Sequence, residues 1–314
     1  MHFFNHKPHE RHEIAVCPLP YVRAGSCWFV VEYIKKYLFR NKCLGFLLVL
    51  LLFSFFSCSR QKPQEDDLAE AIARFGSAIG DHSGFLPDVF LATGLPGELS
   101  GKIQEELATS PAFIMELLSI METDPYLRLL VDKRHGLEKS YEPEDLVVLA
   151  DGQYRVGRSG LMLRKDAAAA LEEMASAAGA DGLTLVASSA YRSYDYQAQV
   201  YSRHVREMGQ EEADRVSARP GHSQHQLGLV LDFGSIDDSF AKTSEGIWIA
   251  ANASRFGWSL SYPQGLEAIT GYSWESWHYR YVGKDLAAFI DNYFDGIQQY
   301  ALRFIYEWEN QAAD

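Results

Sequence analysis

Two short stretches of this sequence carry histidines and carboxylates at spacings that suit a metal ion. His225 and Asp232 lie in PGHSQHQLGLVLDFG, and Glu275 and His278 lie in ESWH. Two imidazoles and one carboxylate make a three-ligand zinc set, which leaves the fourth tetrahedral position open for water in hydrolytic zinc sites. Each stretch alone also fits an ordinary hydrogen-bonded surface pair. Taken together, they predict one zinc ion per chain, with His225, Asp232 and His278 as its ligands.

The backbone must bend between the first two of these ligands. His225 and Asp232 are seven positions apart, so on one unbroken strand their side chains would face opposite sides of a sheet. The apolar run from Leu229 to Leu231 predicts a buried strand that delivers Asp232, after a turn that presents His225. Gly228 lies between them and is the residue able to adopt the unusual dihedral angles that such a bend needs.

A third stretch supplies a candidate for binding an anion. The segment Ser189-Ala190-Tyr191-Arg192-Ser193, followed by Gln197, comes directly after an apolar strand predicted over Leu183 to Ala187. An active-site loop would leave a sheet at this point. The planar guanidinium of Arg192 suits either the terminal carboxylate of a peptide or an oxyanion that develops during catalysis. Arg192 is therefore a candidate for both substrate binding and catalysis.

The order of these motifs resembles a known enzyme family. SAYRSYDYQ, then PGHSQHQLGLVLDF, then GYSWESWHYRYVG is similar to the VanY-type zinc D-alanyl-D-alanine carboxypeptidases, with their S-x-H-(x)6-D and E-x-W-H motifs. The resemblance extends from Leu130 to Gly283, about half the chain. Ser276 departs from the pattern, since the family commonly has proline there. The resemblance implies an α+β fold of the hedgehog/DD-peptidase-like type, preceded here by a small helical segment.

The resemblance also implies roles for side chains near the metal. Glu275 would be the general base that takes a proton from the attacking water, or else it orients a histidine. Gln197 and Ser223 occupy positions that help to shape the substrate pocket in such enzymes. Tyr191 and Trp277 fit equally well as pocket walls and as direct substrate contacts.

The function implied is that of a hydrolase of the cell wall. A zinc carboxypeptidase of this type removes the terminal D-alanine from peptidoglycan stem peptides. One alternative is an L,D-carboxypeptidase acting on tetrapeptide stems, which needs the same zinc set. A second is a non-catalytic, zinc-containing module that binds peptidoglycan. The presence of Glu275 favours an enzyme.

Composition and charge narrow the range of partners. Hydrophobic residues make up 47% of the chain and charged residues 23%, which is typical of a globular protein. The first 58 residues hold seven Lys or Arg against three Asp or Glu, so the remainder carries a formal charge of −17 within the total of −13. An acidic body argues against nucleic acid as a partner, because phosphate binding depends on basic patches. We expect a monomer that acts on peptidoglycan stem peptides.

The N-terminal segment predicts export. Residues 1–36 show no sustained periodicity, which indicates either a start site assigned too early or a cytoplasmic extension. Residues 37–58 have the layout of a signal peptide, because a basic stretch precedes an apolar run from Gly45 to Phe56 that is shorter than the roughly 20 residues of a membrane span. Cys58 follows directly, as at a bacterial lipoprotein cleavage site. An uncleaved anchor helix and ordinary signal cleavage are the alternatives.

A signal peptide over residues 37–58 has two consequences, one for the location of the protein and one for its metal ligands. The protein is predicted to lie in the cell envelope, in the periplasm or on the outer face of a membrane, with membrane contact through a lipid on Cys58 or through an anchor. The four cysteines all lie at or before Cys58, so any metal in the mature body must use histidine and carboxylate ligands.

The remaining chain divides into a helical segment, a catalytic domain and a tail. Residues 59–125 are predicted as a polar tether and helical prelude, 126–294 as the catalytic domain, and 295–314 as the C-terminal helix and tail. His82 and His135 are expected to be solvated and not ligands. Helical spacing is found around Leu68, Ile72 and Phe75, around Ile103 and Leu107, and around Phe113, Leu117 and Met121; helices are also predicted over Lys165–Ala178, Ser193–Met208, Glu245–Phe256 and Asp285–Trp308.

Overall fold

A computed structural model of the protein describes residues 93–312. The predicted signal segment with Cys58, the spacing of Leu68, Ile72 and Phe75, and His82 lie outside the described residues. Within residues 93–312, no helix combines the length and the apolar composition needed to cross a membrane.

The described part alternates helices with short strands. The helices are Gly97–Thr109 (α1), Pro111–Glu122 (α2), Lys165–Ala180 (α3), Tyr194–Met208 (α4), Gln210–Val216 (α5), Ser244–Asn252 (α6), Glu267–Thr270 (α7), Lys284–Tyr293 (α8) and Gln298–Ala312 (α9). The strands are Leu146–Val148 (β1), Arg155–Val156 (β2), Met162–Arg164 (β3), Val186–Ser189 (β4), Val230–Phe233 (β5), Trp258–Leu260 (β6) and His278–Tyr281 (β7). Short 3₁₀ turns cover Pro125–Leu127, Gln224–Leu227, Asp238–Lys242 and Ala253–Phe256.

The main sheet has five strands in the order β2-β4-β5-β7-β6. The pair β2 and β4 is parallel, whereas the pairs among β4, β5, β7 and β6 are antiparallel. Strands β1 and β3 form a separate antiparallel ribbon. Because the central strands β4, β5, β7 and β6 pair antiparallel and helices lie between and around the strands, the architecture is α+β, as the sequence predicts.

Side-chain caps explain where several helices begin. The hydroxyl of Ser193 accepts a hydrogen bond from the backbone N–H of Tyr196 at the start of α4. Thr243 accepts one from the N–H of Gly246 at the start of α6. Such caps satisfy N–H groups that have no partner inside the helix. The helix predicted over Glu245–Phe256 begins within one residue of the expected position, at Ser244. It ends at Asn252, and a 3₁₀ turn then leads to the left-handed Gly257.

One face of the sheet packs against α3. Leu171 and Met174 of this helix are completely buried with Leu231 and Phe233 of β5 and Trp258 of β6. Burial of apolar surface of this kind provides the main favourable free energy of folding. A second apolar cluster joins α1, α2, α8 and α9, and it includes the buried side chains predicted from helical spacing in the prelude.

The single closing helix predicted over Asp285–Trp308 is wrong. Helix α8 ends at Tyr293 and α9 begins at Gln298, because Asp295 and Gly296 have φ angles of 53° and 72°. Phe289 of α8 and Tyr300 of α9 lie on opposite sides of this break but are buried in the same apolar cluster. Their helical spacing therefore continues across the break and gives no sign of it in the sequence.

Two smaller expectations also need correction. The strand predicted over Leu183–Ala187 begins three residues later, at Val186. His135 is not fully solvated: its side chain is 28% exposed, and its Nδ1 lies 2.8 Å from Oδ1 of the buried Asp132. Asp132 also accepts hydrogen bonds from the backbone N–H groups of Arg134 and His135, so this histidine belongs to a structural loop.

Gly228 is predicted to be a position where alanine destabilises the fold. Its φ of +70° is left-handed, and an added Cβ would lie 2.8 Å from Cδ2 of Leu146. Gly228→Ala should therefore lower the free energy of unfolding by about 1 to 3 kcal/mol. Gly265→Ala is a matched control, because Gly265 has a φ of +80° with nothing within 4 Å of its Cβ. Urea unfolding of both variants should show the larger loss for Gly228→Ala; equal losses would contradict a crowded bend.

Candidate metal centre and substrate cleft

The register of the sheet places Asp232 beside the second predicted histidine ligand. Asp232 of β5 lies opposite His278 of β7 and opposite Ser189 of β4. Directly paired residues project from the same face of a sheet, with Cβ atoms about 5 Å apart. Leu231 and Phe233 point to the other face and are fully buried in the core. Strand alternation thus puts the polar row on one face and the apolar core on the other.

His225 reaches the same face from a turn. It lies in the 3₁₀ turn Gln224–Leu227, which ends at the left-handed Gly228. The Nδ1 of His225 lies 2.7 Å from the carbonyl oxygen of Ala190, to which it can only donate. Its Nε2 lies 3.3 Å from Oδ2 of Asp232. The bend at Gly228 that the sequence requires is therefore present, and it allows His225 and Asp232 to meet.

The three predicted ligands converge on one point. One ligand atom from each of His225, Asp232 and His278 lies within 4.8 Å of the others. Nδ1 of His278 lies 3.2 Å from Oδ1 of Asp232 and 3.2 Å from Oε2 of Glu275. The rings of His225 and His278 are nearly perpendicular, with centroids 5.0 Å apart. The ligands are buried, each 3% to 4% exposed, whereas Glu275 retains partial access to the cleft.

The charges in this cluster fit a bound cation. Burial lowers the pKa of His225 to about 4, so at neutral pH its imidazole carries one proton, the one donated to Ala190. Nε2 of His225 and Oδ2 of Asp232 are then two acceptors that face each other. Such a contact is unfavourable unless a positive charge lies between or beside them. A metal ion coordinated by both atoms supplies that charge.

The other groups support the same conclusion. Burial alone would raise the pKa of Asp232, but its imidazole neighbours, of which His278 carries the positive charge at neutral pH, hold it far below its usual range. Burial would lower the pKa of His278, but hydrogen bonds to Asp232 and Glu275 raise it to about 9. Burial raises the pKa of Glu275. Asp232 is thus ionised and attracts positive charge, and a metal ion would replace the proton that His278 otherwise holds.

Arg192 is fixed at the edge of this cluster by two hydrogen bonds. Its Nη1 donates to Oε1 of Gln197 at 2.7 Å, and its Nη2 donates to Oγ of Ser189 at 3.2 Å. Gln197, which is 1% exposed, donates in turn to the carbonyl oxygen of Ala218 at 2.6 Å. Gln197 therefore orients the guanidinium of Arg192. The sequence predicts only that Gln197 helps to shape the substrate pocket.

A cleft of about 750 Å³ opens over the cluster. Of the predicted substrate residues, Arg192, Gln197, Ser223 and Trp277 line it. Tyr191 is half-buried and does not line the cleft, so its position lends no support to the predicted substrate contact.

Sequence reasoning missed several residues of the cleft wall. The ring centroid of buried Tyr262 lies 4.7 Å from that of His278, and Tyr272 lies 4.9 Å from Tyr262. Tyr272 and Trp274 are in the motif GYSWESWHYRYVG, three residues and one residue before Glu275, so the motif could have indicated them. Tyr262 lies in the loop after β6 and gives no signal in the sequence.

Comparison with known proteins identifies the family. Residues 160–284 match the sequence profile of VanY, described as D-alanyl-D-alanine carboxypeptidase. YodJ of Bacillus subtilis (strain 168) is 36% identical over 182 residues, which are 56% of this chain and 67% of YodJ. VanXYC of Enterococcus gallinarum, a bifunctional D-Ala-D-Ala dipeptidase and carboxypeptidase, is 31% identical over 163 residues, or 49% of this chain and 82% of VanXYC. The chain therefore belongs to the VanY family, as its motifs predict.

Other relatives match over smaller shares or have been solved as structures. The D-alanyl-D-alanine carboxypeptidase of Enterococcus faecium is 32% identical over 161 residues, and the chain spans half the length of that relative. The LdcB LD-carboxypeptidase structure is 37% identical, with a TM-score of 0.49 over 54% of this chain and 85% of LdcB. The structure of VanYB with D-alanine-D-alanine is 30% identical, with a TM-score of 0.47 over 59% of this chain and 98% of VanYB.

Alanine variants of the ligands should abolish metal binding. We expect the wild-type protein to bind about one zinc ion per chain and His225→Ala, Asp232→Ala and His278→Ala each to bind far less, since three protein ligands are the minimum of such sites. His135→Ala is the matched control, because His135 pairs with Asp132 away from the cluster. Metal analysis after dialysis measures the content; full zinc content in His225→Ala would contradict the assignment.

Proposed function

We propose that the protein is a zinc carboxypeptidase that hydrolyses the terminal D-alanyl-D-alanine bond of peptidoglycan stem peptides. The observation that carries the proposal is the convergence of His225, Asp232 and His278 in a buried cluster with Glu275 and Arg192 at its edge. Membership of the VanY family supports the substrate class. Zinc suits this donor set, because two imidazoles and a carboxylate are its usual ligands in hydrolytic sites.

Bound zinc would lower the pKa of water to about 7 and polarise the scissile carbonyl group. Glu275 would accept the proton that the attacking water loses, because its carboxylate lies beside the cluster without being needed as a ligand. The raised pKa of Glu275, caused by burial, makes it a stronger base than an exposed carboxylate. As the C–N bond breaks, Glu275 would return this proton to the leaving amino group of D-alanine.

Arg192 would bind the C-terminal carboxylate of the peptide. The hydrogen bonds to Gln197 and Ser189 fix its orientation and use one N–H on each terminal nitrogen, so further N–H groups remain for a substrate. Ser223 is buried, lines the same cleft and carries a hydroxyl. A fixed guanidinium near the metal favours peptides with a free carboxylate one residue after the scissile bond, which is what a carboxypeptidase requires.

We further propose that the protein works in the cell envelope, held there by a lipid on Cys58. The basic and apolar segments before Cys58 support this location, and so does a substrate that lies outside the cytoplasm. Cys58→Ala should move the protein from the membrane fraction to the soluble fraction. Unchanged partitioning would favour an anchor helix instead.

The proposed reaction is tested with defined peptides. Purified protein should release D-alanine from a pentapeptide that ends in D-Ala-D-Ala and leave a control peptide that ends in L-Ala-L-Ala intact. A tetrapeptide stem tests the L,D-specific alternative, which would release D-alanine from that peptide preferentially. If D-alanine is released from neither stem, the result contradicts the proposal and favours a binding module.

Glu275→Gln should separate catalysis from metal binding. The substitution keeps the size of the side chain and the three ligands but removes the oxygen that accepts a proton. General-base assistance contributes roughly 100-fold to 10,000-fold, so kcat should fall by about that factor while zinc content stays unchanged. A Glu275→Gln protein that keeps its zinc and releases D-alanine at a near-normal rate would show that another group is the base.

A further inference from the structure

The cleft continues along helix α4 well beyond the metal cluster. Tyr196, Val200 and Arg203 line it, and their spacing of four and three residues places them on one face of the helix. Met208 also lines the cleft at the end of α4. A helix rises 1.5 Å per residue, so the wall from Tyr196 to Met208 is about 18 Å long. The two residues that flank a scissile bond would occupy only part of a wall of this length.

Positive charge is concentrated on this wall. Arg158 and Arg203 line the cleft, and so does the exposed ring of Tyr196. Nη1 of Arg158 donates to the Tyr196 hydroxyl at 3.4 Å, and its guanidinium carbon lies 6.0 Å from the ring centroid. The hydrogen bond from Arg158, with the charges of Arg158, Arg192 and Arg203, lowers the pKa of Tyr196. Several guanidinium groups therefore act on the same small region.

These charges lack the partners that comparable arginines have. Elsewhere on the surface, Arg155 pairs with Asp151, Arg215 with Glu267, and Arg219 with Asp214, at nitrogen-to-oxygen distances of 2.6 to 3.6 Å. Among residues 93–312, Arg158 and Arg203 form no such ion pair with a carboxylate, although the chain after Cys58 carries a formal charge of −17. The carboxylates that line the described cleft are Asp232 and Glu275 of the cluster and Asp238.

A buried polar atom lies on the same wall. His204 lines the cleft next to Arg203, and its Nδ1 is buried without a hydrogen-bond partner in the described structure. Burial lowers the pKa of His204, and the charges of Arg203 and Arg192 lower it further, whereas Glu207 raises it. The wall therefore combines two arginines that form no ion pair and a buried ring nitrogen that has no hydrogen-bond partner in the described structure.

We propose that Arg158 and Arg203 form a second anion site, which binds another carboxylate of the peptide substrate besides the terminal one bound by Arg192. The inference rests on the proposed function. Only one residue follows the scissile bond of a carboxypeptidase substrate, and in a D-alanine terminus that residue has no side-chain charge. The second carboxylate must therefore belong to a residue before the scissile bond. The preferred substrate is an acidic peptide and not merely a D-Ala-D-Ala terminus.

Two peptides that differ in one group test this site. Both end in D-Ala-D-Ala, and a residue before the scissile bond carries either a free carboxylate or the corresponding carboxamide. The wild-type protein should prefer the carboxylate form by about 3-fold to 10-fold in kcat/KM, because exposed charge pairs are individually weak. The difference should lie mainly in KM, since the site is remote from the reacting atoms. It should shrink at high ionic strength.

Arginine variants locate the preference. Arg158→Gln and Arg203→Gln should each reduce it, and the double variant should cleave both peptides equally. Arg206→Gln is the matched control on α4, because Arg206 is exposed but borders a different depression. Arg155→Gln is the control near β2, because Arg155 pairs with Asp151. Both controls should keep the wild-type preference.

The outcomes separate this inference from the proposed function. Equal cleavage of the two peptides by the wild-type protein would overturn the second anion site and leave the carboxypeptidase activity intact. A preference that survives in the double variant would also overturn it. If neither peptide is cleaved, the proposed function fails and the inference fails with it.

Discussion

The structure depends on one constraint, which is a buried carboxylate that must be compensated. Asp232 is 3% exposed and ionised between two imidazoles, and an unpaired charge at such a depth would be strongly destabilising. The pairing of β5 with β7 brings His278 opposite Asp232. The bend at Gly228 brings His225 to the same carboxylate from the other side. A metal ion bound by all three residues would satisfy Nε2 of His225 and Oδ2 of Asp232, two acceptor atoms that otherwise face each other.

The alternation of polar and apolar side chains along β5 determines what packs on each side of the sheet near the cluster. Because side chains alternate along β5, the strand that directs Asp232 toward the cleft also buries Leu231 and Phe233 against α3. The loop after β4 contributes in two ways, since the carbonyl group of Ala190 orients His225 and the guanidinium of Arg192 faces the cleft. Arginines that line one wall of the cleft, in an otherwise acidic protein, would direct a negatively charged peptide toward the metal cluster.

The sequence predicts the site better than it predicts the elements around it. The convergence of His225, Asp232 and His278 could be predicted because two imidazoles and a carboxylate form a zinc ligand set and because the ordered motifs resemble those of a zinc enzyme family. The bend at Gly228 could be predicted because two side chains seven positions apart cannot lie on the same face of one strand. The break between α8 and α9 could not be predicted, since Phe289 and Tyr300 keep helical spacing across it and bury in one cluster. Tyr262 could not be predicted either, because its contact with His278 depends on tertiary packing.

A zinc titration of the wild-type protein tests most directly whether His225, Asp232 and His278 hold a catalytic metal ion. Metal is removed with a chelator, zinc is returned in measured steps, and D-alanine release from a D-Ala-D-Ala pentapeptide is recorded at each step. Activity should be lost with the metal, return in proportion to bound zinc and saturate at about one ion per chain, as expected for a single three-ligand site. Full D-alanine release by the metal-depleted protein would contradict a catalytic metal ion.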